Sequence, residues 1–334
     1  MSIAPATRKR ALSGIKPTST PHLGNHLGMV LPAIALQETH DCFYFIADYH
    51  ALTTVHDRQK LRQHSYQIAA YFLAFGLDPE RSCFFRQSDV PEVCELSWIL
   101  SCIVNMGLLE RAHAWKAAKD RGNEGEAVHG LFAYPVLMAA DILIYDADCV
   151  PVGKDQVQHV EMTRDMAERF NFEFGHTLRI PSALVREEVH TVPGLDGRKM
   201  SKSYDNTITL VSPPKKLRQQ LMQVVTDSTP REAPTTPETC TVFALYKLFA
   251  SPEQSADMAE RYRAGGYGYG HAKQALFELV DAQVAPARQR YEALLAEPEH
   301  LEDILLAGAE RARRVARSVL DRVRDQIGLR TMQA

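Results

Sequence analysis

Two short strings in this chain have the residue types for phosphate chemistry. The first is "KPTSTPHLGNHLG", Lys16 to Gly28, which gathers Pro, His, Asn and Gly into one turn between two apolar segments. A strand-to-helix turn presents free backbone N–H groups and the positive end of the helix dipole, a natural seat for phosphate. Gly24 would let the backbone approach such a ligand, Gly28 would let the helix lie close to a sheet, and His22 and Asn25 add neutral donors. The plainer reading is an ordinary helix start near Asn25, with Asn25 as its cap. His22 and His26 also stand four apart, as metal ligands on a helix can, but no third ligand accompanies them and no metal site is expected.

The second string is "GRKMSKS", Gly197 to Ser203, with Lys199 and Lys202 three apart, flanked by Ser and preceded by "GLDG". Alone it reads as a surface cluster of charge. Paired with the first turn, it suits a nucleoside triphosphate whose pyrophosphate departs. Lysines that close on the leaving group stabilise charge formed only in the transition state. A third candidate is Asp141, in the otherwise apolar "LMAADIL". A carboxylate there must reach water or an Arg at a frayed helix end, or else meet a ligand donor, because burying it alone is costly. An indole N–H can only donate, so a carboxylate is its complement.

These residues need a scaffold. At 334 residues the chain exceeds what one core usually supports, so about two domains are expected. Apolar residues at 45% and charged residues at 24% exclude a disordered chain. With 38 basic and 41 acidic side chains, any nucleic-acid partner must be met by local patches. Six Cys without C-x-x-C or zinc-ligand spacing read as reduced, mainly buried thiols. The basic N-terminus lacks the apolar run of a signal peptide, and "WILSCIVNMGLL" is too short and polar to span a bilayer. A cytoplasmic protein with no membrane partner is expected.

Along the chain, "ALSGI" reads as a first strand, and "CFYFIAD" (42–48) and "CFFRQ" (83–87) as buried strands. Between the last two, Leu61, Ile68, Phe72 and Phe75 recur at helical spacing up to Gly76. Strand, helix, strand predicts a parallel βαβ unit, whose ligands gather at the carboxyl ends of the strands. Residues 92–145 read as a helical insertion, with "RGNEG" (121–125) as a loop, and short extended segments follow around "DCVPVG" and "TVPGLDG". Beyond Leu210 the chain reads as helical to its end, with "SPPKKLRQQLMQVV" opening this part and seven Arg between 311 and 330. The expectation is therefore α/β: a Rossmann-like parallel-sheet catalytic domain over 1–210 and an all-helical domain over 211–334, without internal repeats.

"HLGN" together with "KMSKS" resembles the signature pair of class I aminoacyl-tRNA synthetases, and the resemblance extends to the bacterial tryptophanyl enzymes in particular. The segments that carry it are "SGIKPT", "FIADYHALT", "QSDVPE", "YPVLMAADIL", "VPVGKDQVQHVEMTRDMAERF", "KMSKS" and "GGYGYGHAK", spread in the family's order over about residues 10 to 275. Ser19 and Lys154 depart from the family's commoner Gly and acidic residues.

The resemblance implies activation of tryptophan by ATP to an adenylate, with Mg²⁺ accompanying ATP, and then transfer to tRNA. It implies catalytic roles for His22, Asn25, Lys199 and Lys202. The ATP site would comprise Lys16, Pro17, Thr18, Gly24, Asn25, Gly153, Lys154, Asp155, Val192 and the loop Lys199, Met200, Ser201, Lys202, Ser203. Asp141 would take the indole N–H; Leu12, Tyr134, Met138, Val150 and Val152 would form the ring slot; His50 and Gln156 would lie near the amino-acid head group. It also implies a homodimer formed through the 92–145 region and anticodon contacts from the helical tail. Tyrosyl enzymes share the fold and both signatures, a small-molecule nucleotidyltransferase could use a similar turn, and a silent paralogue could bind tRNA without catalysis.

Overall fold

The computed structural model describes residues 8–122, 125, 127–185 and 192–332. Five strands form one parallel sheet: β1 (Arg10–Ile15), β2 (Asp41–Ile46), β3 (Cys83–Arg86), β4 (Cys149–Val152) and β5 (Ser182–Val185), in the order β3-β2-β1-β4-β5. The chain builds outward from β1 through β2 to β3 and then returns to β1's other side with β4. That reversal makes the carboxyl ends of β1 and β4 the switch point where such sheets bind ligands. β1 and β2 run in register from Arg10↔Asp41 to Ile15↔Ile46, which sets Leu12 beside Phe43 and Gly14 beside Phe45. Gly14 is required because a Cβ there would collide with the Phe45 ring.

The Rossmann-like expectation holds for the sheet, and most strands lie where the alternation places them. The helix between β2 and β3 spans Arg58–Ala74, capped by Asp57, whose carboxylate accepts the N–H groups of Gln59 and Lys60. It ends just before Gly76, whose φ of 108° an L side chain rarely adopts. β5 has no counterpart in the sequence reading, because "SALV" is short and mostly exposed, with no apolar alternation to betray it.

The chain divides into two compact units, but not at 210. One comprises Met1–Ser19, Ala33–Glu187 and Glu297–Ala334; the other comprises Thr20–Pro32 and Glu188–Ala296. This corrects the expected boundary in two ways. The lysine string belongs with the helical unit, and the last helix, Pro298–Gln326, belongs with the sheet.

The reason lies in that helix. Its Leu301, Leu305, Ala309, Ala312, Ala316, Val319, Leu320 and Val323 are buried, and several join the cluster that holds Phe43, Phe85 and Tyr145. At Gly308 it meets the outer strand β3 backbone to backbone: a Cβ would collide with the Phe84 carbonyl oxygen, and the Cys83 thiol reaches the Gly308 carbonyl at 3.1 Å. Covering an outer strand in this way removes an edge that could otherwise pair with another chain.

Most of its arginines are also occupied. Arg313 and Arg317 both bind Glu92, Arg324 binds Glu95, Arg322 binds Asp146, and Arg311 donates to the carbonyls of Pro79 and Ser82. An Arg-rich helix face that looks available for RNA in the sequence is largely spent on its own unit.

The other unit contains the helices Pro214–Met222, Pro252–Ala264 and Tyr269–Ala296. Tyr262 is fully buried, with Tyr267, Tyr269 and Phe243 around its ring, so the "GGYGYG" string supplies an aromatic core. Among the described residues no helix is long and apolar enough to cross a membrane.

Candidate active site

In the sheet unit, candidate residues follow the carboxyl ends of the parallel strands. Lys16, Pro17 and Thr18 follow β1; His50 lies in the Asp48–Ala51 turn after β2; Gly153, Lys154 and Gln156 follow β4. The side chain of Asp155, expected at ATP, lies outside the described residues. Leu12, Val150 and Val152 are buried on the strands, and Met138 packs against the same cluster. Tyr134, Met138 and Asp141 sit at helical spacing on His129–Leu143, so one face of that helix carries all three. The Tyr134 hydroxyl bonds the His159 imidazole at 3.2 Å, and the Lys16 ammonium lies 5.9 Å from the Tyr134 ring centroid.

Asp141 does not fray into solvent and meets no arginine. It is 1% exposed, and every partner it has is a donor. His50 Nε2 reaches Oδ2 at 2.8 Å, and Gln87 Nε2 reaches Oδ1 at 2.8 Å and Oδ2 at 2.9 Å. Burial pushes its pKa upward, opposed by the hydrogen bonds from His50 and Gln87. Since a carboxylate has about four acceptor positions, Oδ1 retains one for a ligand. His50, expected near the head group, is a partner of the Asp141 carboxylate. His50 also lines a pocket of about 250 Å³ with Tyr49, Cys94, Ser97, Tyr134 and Leu137, and Asp141 is not among its lining residues.

Gln87 is the residue that sequence reasoning missed. It lies in "CFFRQSDV" directly after β3, and the signal available was a polar residue just past the end of a buried parallel strand. Asp48 ties this loop to the one carrying His50: it accepts the N–H groups of Ser88 and Tyr49, each at 3.0 Å, and the Ser88 hydroxyl.

In the helical unit the two signature strings come together. The helical turn begins at Leu23, earlier than expected, and His22 rather than Asn25 caps it. The His22 ring accepts the Asn25 N–H at 3.3 Å while Asn25 Oδ1 accepts the His22 N–H at 3.3 Å; the Leu23 N–H goes to the Ile208 carbonyl at 2.8 Å. Three amides of the turn are therefore engaged internally, and positive charge for a phosphate falls to side chains. A Cβ on Gly24 would stand 3.7 Å from Met200, so the turn and the lysine loop pack directly together.

Burial, and then the charge of Lys202, holds the His22 pKa down at about 4; burial likewise holds His26 at about 4 and lowers Lys202. His22 is consequently neutral at pH 7. Because Nδ1 accepts from Asn25, the proton sits on Nε2, leaving an uncharged N–H donor beside the lysine loop.

The loop itself is a held hairpin. Pro193 and Lys199 bridge antiparallel, the Met200 N–H bonds the Val192 carbonyl at 2.9 Å, and the Ser201 side chain accepts the Ser203 N–H. Val192, expected to meet adenine through its backbone, spends its carbonyl on that hairpin. Asn206, buried, accepts the Ser201 N–H at 2.8 Å and donates to Asp196 and to the Lys199 carbonyl. Among the described residues no group of three or more His, Cys, Asp and Glu is placed to hold a metal ion.

The chain has close relatives among known proteins. Residues 5–284 match the family described as tRNA synthetases class I (W and Y). The tryptophan–tRNA ligase of Rhodopirellula baltica is 51% identical over 321 residues, covering 96% of this chain and 100% of that one. The Pseudomonas aeruginosa ligase is 50% identical over 335 residues, covering 97% of this chain and 75% of that one. The crystal structure of Campylobacter jejuni tryptophanyl-tRNA synthetase, complexed with ADP and tryptophan, matches at a TM-score of 0.92 and 48% identity over 96% of this chain and 100% of that one. The chain belongs to the class I tRNA synthetases of the W and Y family.

Proposed function

We propose that this chain is a tryptophan–tRNA ligase: it activates L-tryptophan with ATP, releases pyrophosphate, and transfers the tryptophanyl group to tRNA(Trp). The observation that carries the choice of amino acid is Asp141, a fully buried carboxylate whose partners are all donors and which keeps one acceptor position open. An indole N–H fills that position without leaving a polar group unpaired. Leu12, Tyr134, Met138, Val150 and Val152 are assigned to the slot for the rings, and Gln156 to the amino-acid head group.

The tryptophan carboxylate attacks the α-phosphorus of ATP, and pyrophosphate departs. No protein nucleophile is needed, so catalysis is positioning plus charge stabilisation. Lys199 and Lys202 supply positive charge to the leaving phosphates, and neutral His22 adds a donor that costs no charge repulsion against Lys202. Asn25, through its bond to the His22 N–H, holds that turn. Lys16, Pro17, Thr18, Gly24, Gly153, Lys154, Asp155, Met200, Ser201 and Ser203 are assigned to ATP. Mg²⁺ enters with ATP, held largely by its phosphates. In the second step a terminal ribose hydroxyl of tRNA takes the aminoacyl group.

Lys215, Lys216 and Arg218, exposed on Pro214–Met222, are assigned to tRNA, whereas the last helix is not, most of its arginines being occupied. The homodimer is assigned to the face bearing Trp98, 71% exposed, and Met106, 64% exposed. Apolar side chains so exposed near one another in sequence suit burial against a second copy. ATP–pyrophosphate exchange with each of the twenty amino acids, followed by charging of tRNA(Trp), tests the reading. Exchange dependent on tryptophan alone is expected; exchange with tyrosine, or with none, would overturn it.

A further inference from the structure

We infer that Gln87 determines amino-acid specificity by holding Asp141 as an oriented, acceptor-only carboxylate; the inference rests on Asp141 being the partner of the indole N–H. Gln87 is buried, and its Oε1 accepts the backbone N–H of His50 at 3.4 Å. A backbone N–H cannot reverse its role, so the amide cannot flip, and Nε2 rather than Oε1 must face Asp141. That nitrogen lies within donating reach of both carboxylate oxygens, at 2.8 and 2.9 Å. A donor shared between the two oxygens fixes the plane of the carboxylate, whose terminal torsion is otherwise broad. With Oδ2 also bonded to His50 Nε2 at 2.8 Å, the open acceptor position is confined to Oδ1.

Burial alone favours a protonated acid, which donates as well as accepts. Such a group, or one free to rotate, tolerates a bicyclic ring that has no N–H. Fixed donors on both oxygens remove that tolerance: a ring without a donor leaves Oδ1 buried and unsatisfied. The shared anchor of the two loops, Asp48 on Ser88, keeps His50 and Gln87 in step.

The test is pyrophosphate exchange with tryptophan and with β-(3-benzothienyl)alanine, which carries sulfur in place of the ring N–H. Wild type is compared with Gln87→Met, which keeps the volume without donors, and with Gln87→Glu, which sets an acceptor against Asp141. Wild type is expected to prefer tryptophan by about 100-fold or more. The preference should fall at least about tenfold in both variants through a higher tryptophan KM, with the ATP KM unchanged. A residue that merely supported the fold would slow both substrates alike and leave their ratio intact.

If wild type shows no preference, the role of Asp141 itself fails. If wild type discriminates and the variants do so within about threefold of it, the role of Gln87 alone is overturned. Should only one variant fold, that one decides; should neither show a cooperative thermal transition, Gln87 is a fold determinant and the inference is refuted.

Discussion

Replacing Asp141 is the most direct probe of how this site selects a ring. In Asp141→Ala, His50 Nε2 and Gln87 Nε2 lose their acceptor at a position that is 1% exposed. Leaving buried donors unsatisfied costs about 1–3 kcal/mol each, so the folded state should weaken by at least about 2 kcal/mol. The substrate loses one hydrogen bond to a charged group, worth about 1.5–3 kcal/mol, which corresponds to a fall of about 10- to 150-fold in kcat/KM for tryptophan.

Asparagine is no gentle substitute at this position. Gln87 Nε2 contacts both oxygens, so the new amide nitrogen would face a donor whichever way the side chain turned. Asp141→Asn should therefore lose nearly as much as the alanine variant. The assay is ATP–pyrophosphate exchange at saturating ATP with tryptophan varied, and the ATP KM measured in parallel. A tryptophan kcat/KM within about threefold of wild type in Asp141→Ala would refute the assignment. A shift in the ATP KM as large as that for tryptophan would show a general disturbance instead.

Lys202→Ala should slow adenylate formation by orders of magnitude with little change in tryptophan binding, read by single-turnover pyrophosphate release; a change confined to the tryptophan KM would mark the loop as a ground-state binding element. Stability should fall on acidification. The imidazoles of His22 and His26 have folded pKa values of about 4 against 6.5 unfolded, so the unfolded chain binds more protons between those limits. The resulting stability is present above pH 6.5 and lost as pH falls toward 4, amounting to roughly 2 kcal/mol per imidazole between pH 7 and pH 5. Urea unfolding at the two pH values measures it, and the drop should shrink in His26→Leu. Gly308→Ala should cost about 3 kcal/mol or more, since its methyl would meet the Phe84 carbonyl; an unchanged thermal midpoint would contradict that packing. Trp98→Glu should shift the protein toward monomer in sedimentation equilibrium if the exposed face is the dimer contact.

Much of this protein was settled by local pattern. Short apolar runs alternating with helix-period segments predict the parallel sheet, because a strand buried on both faces must be apolar throughout and a covering helix needs one apolar stripe. The glycine turn and the lysine loop were legible because each is contiguous and its chemistry rests on residue types only a few positions apart. What the sequence left open were matters decided by residues distant along the chain. Gln87 meets Asp141 across 54 positions, and no local pattern marks it. The cap of the first helical turn passed from Asn25 to His22 because the imidazole could exchange bonds with Asn25.

The last helix shows the same division most plainly. By itself the sequence determined an amphipathic, arginine-bearing helix there, since the apolar spacing and the charges are both local. Only the tertiary structure decided that Gly308 would sit against β3 and that Glu92, Glu95 and Asp146 would take the arginines, so that this segment joins the sheet unit. The physical reason is that a helix's stripe declares that it will be buried but not against what. The partner is chosen by shape and charge brought together from more than two hundred residues away.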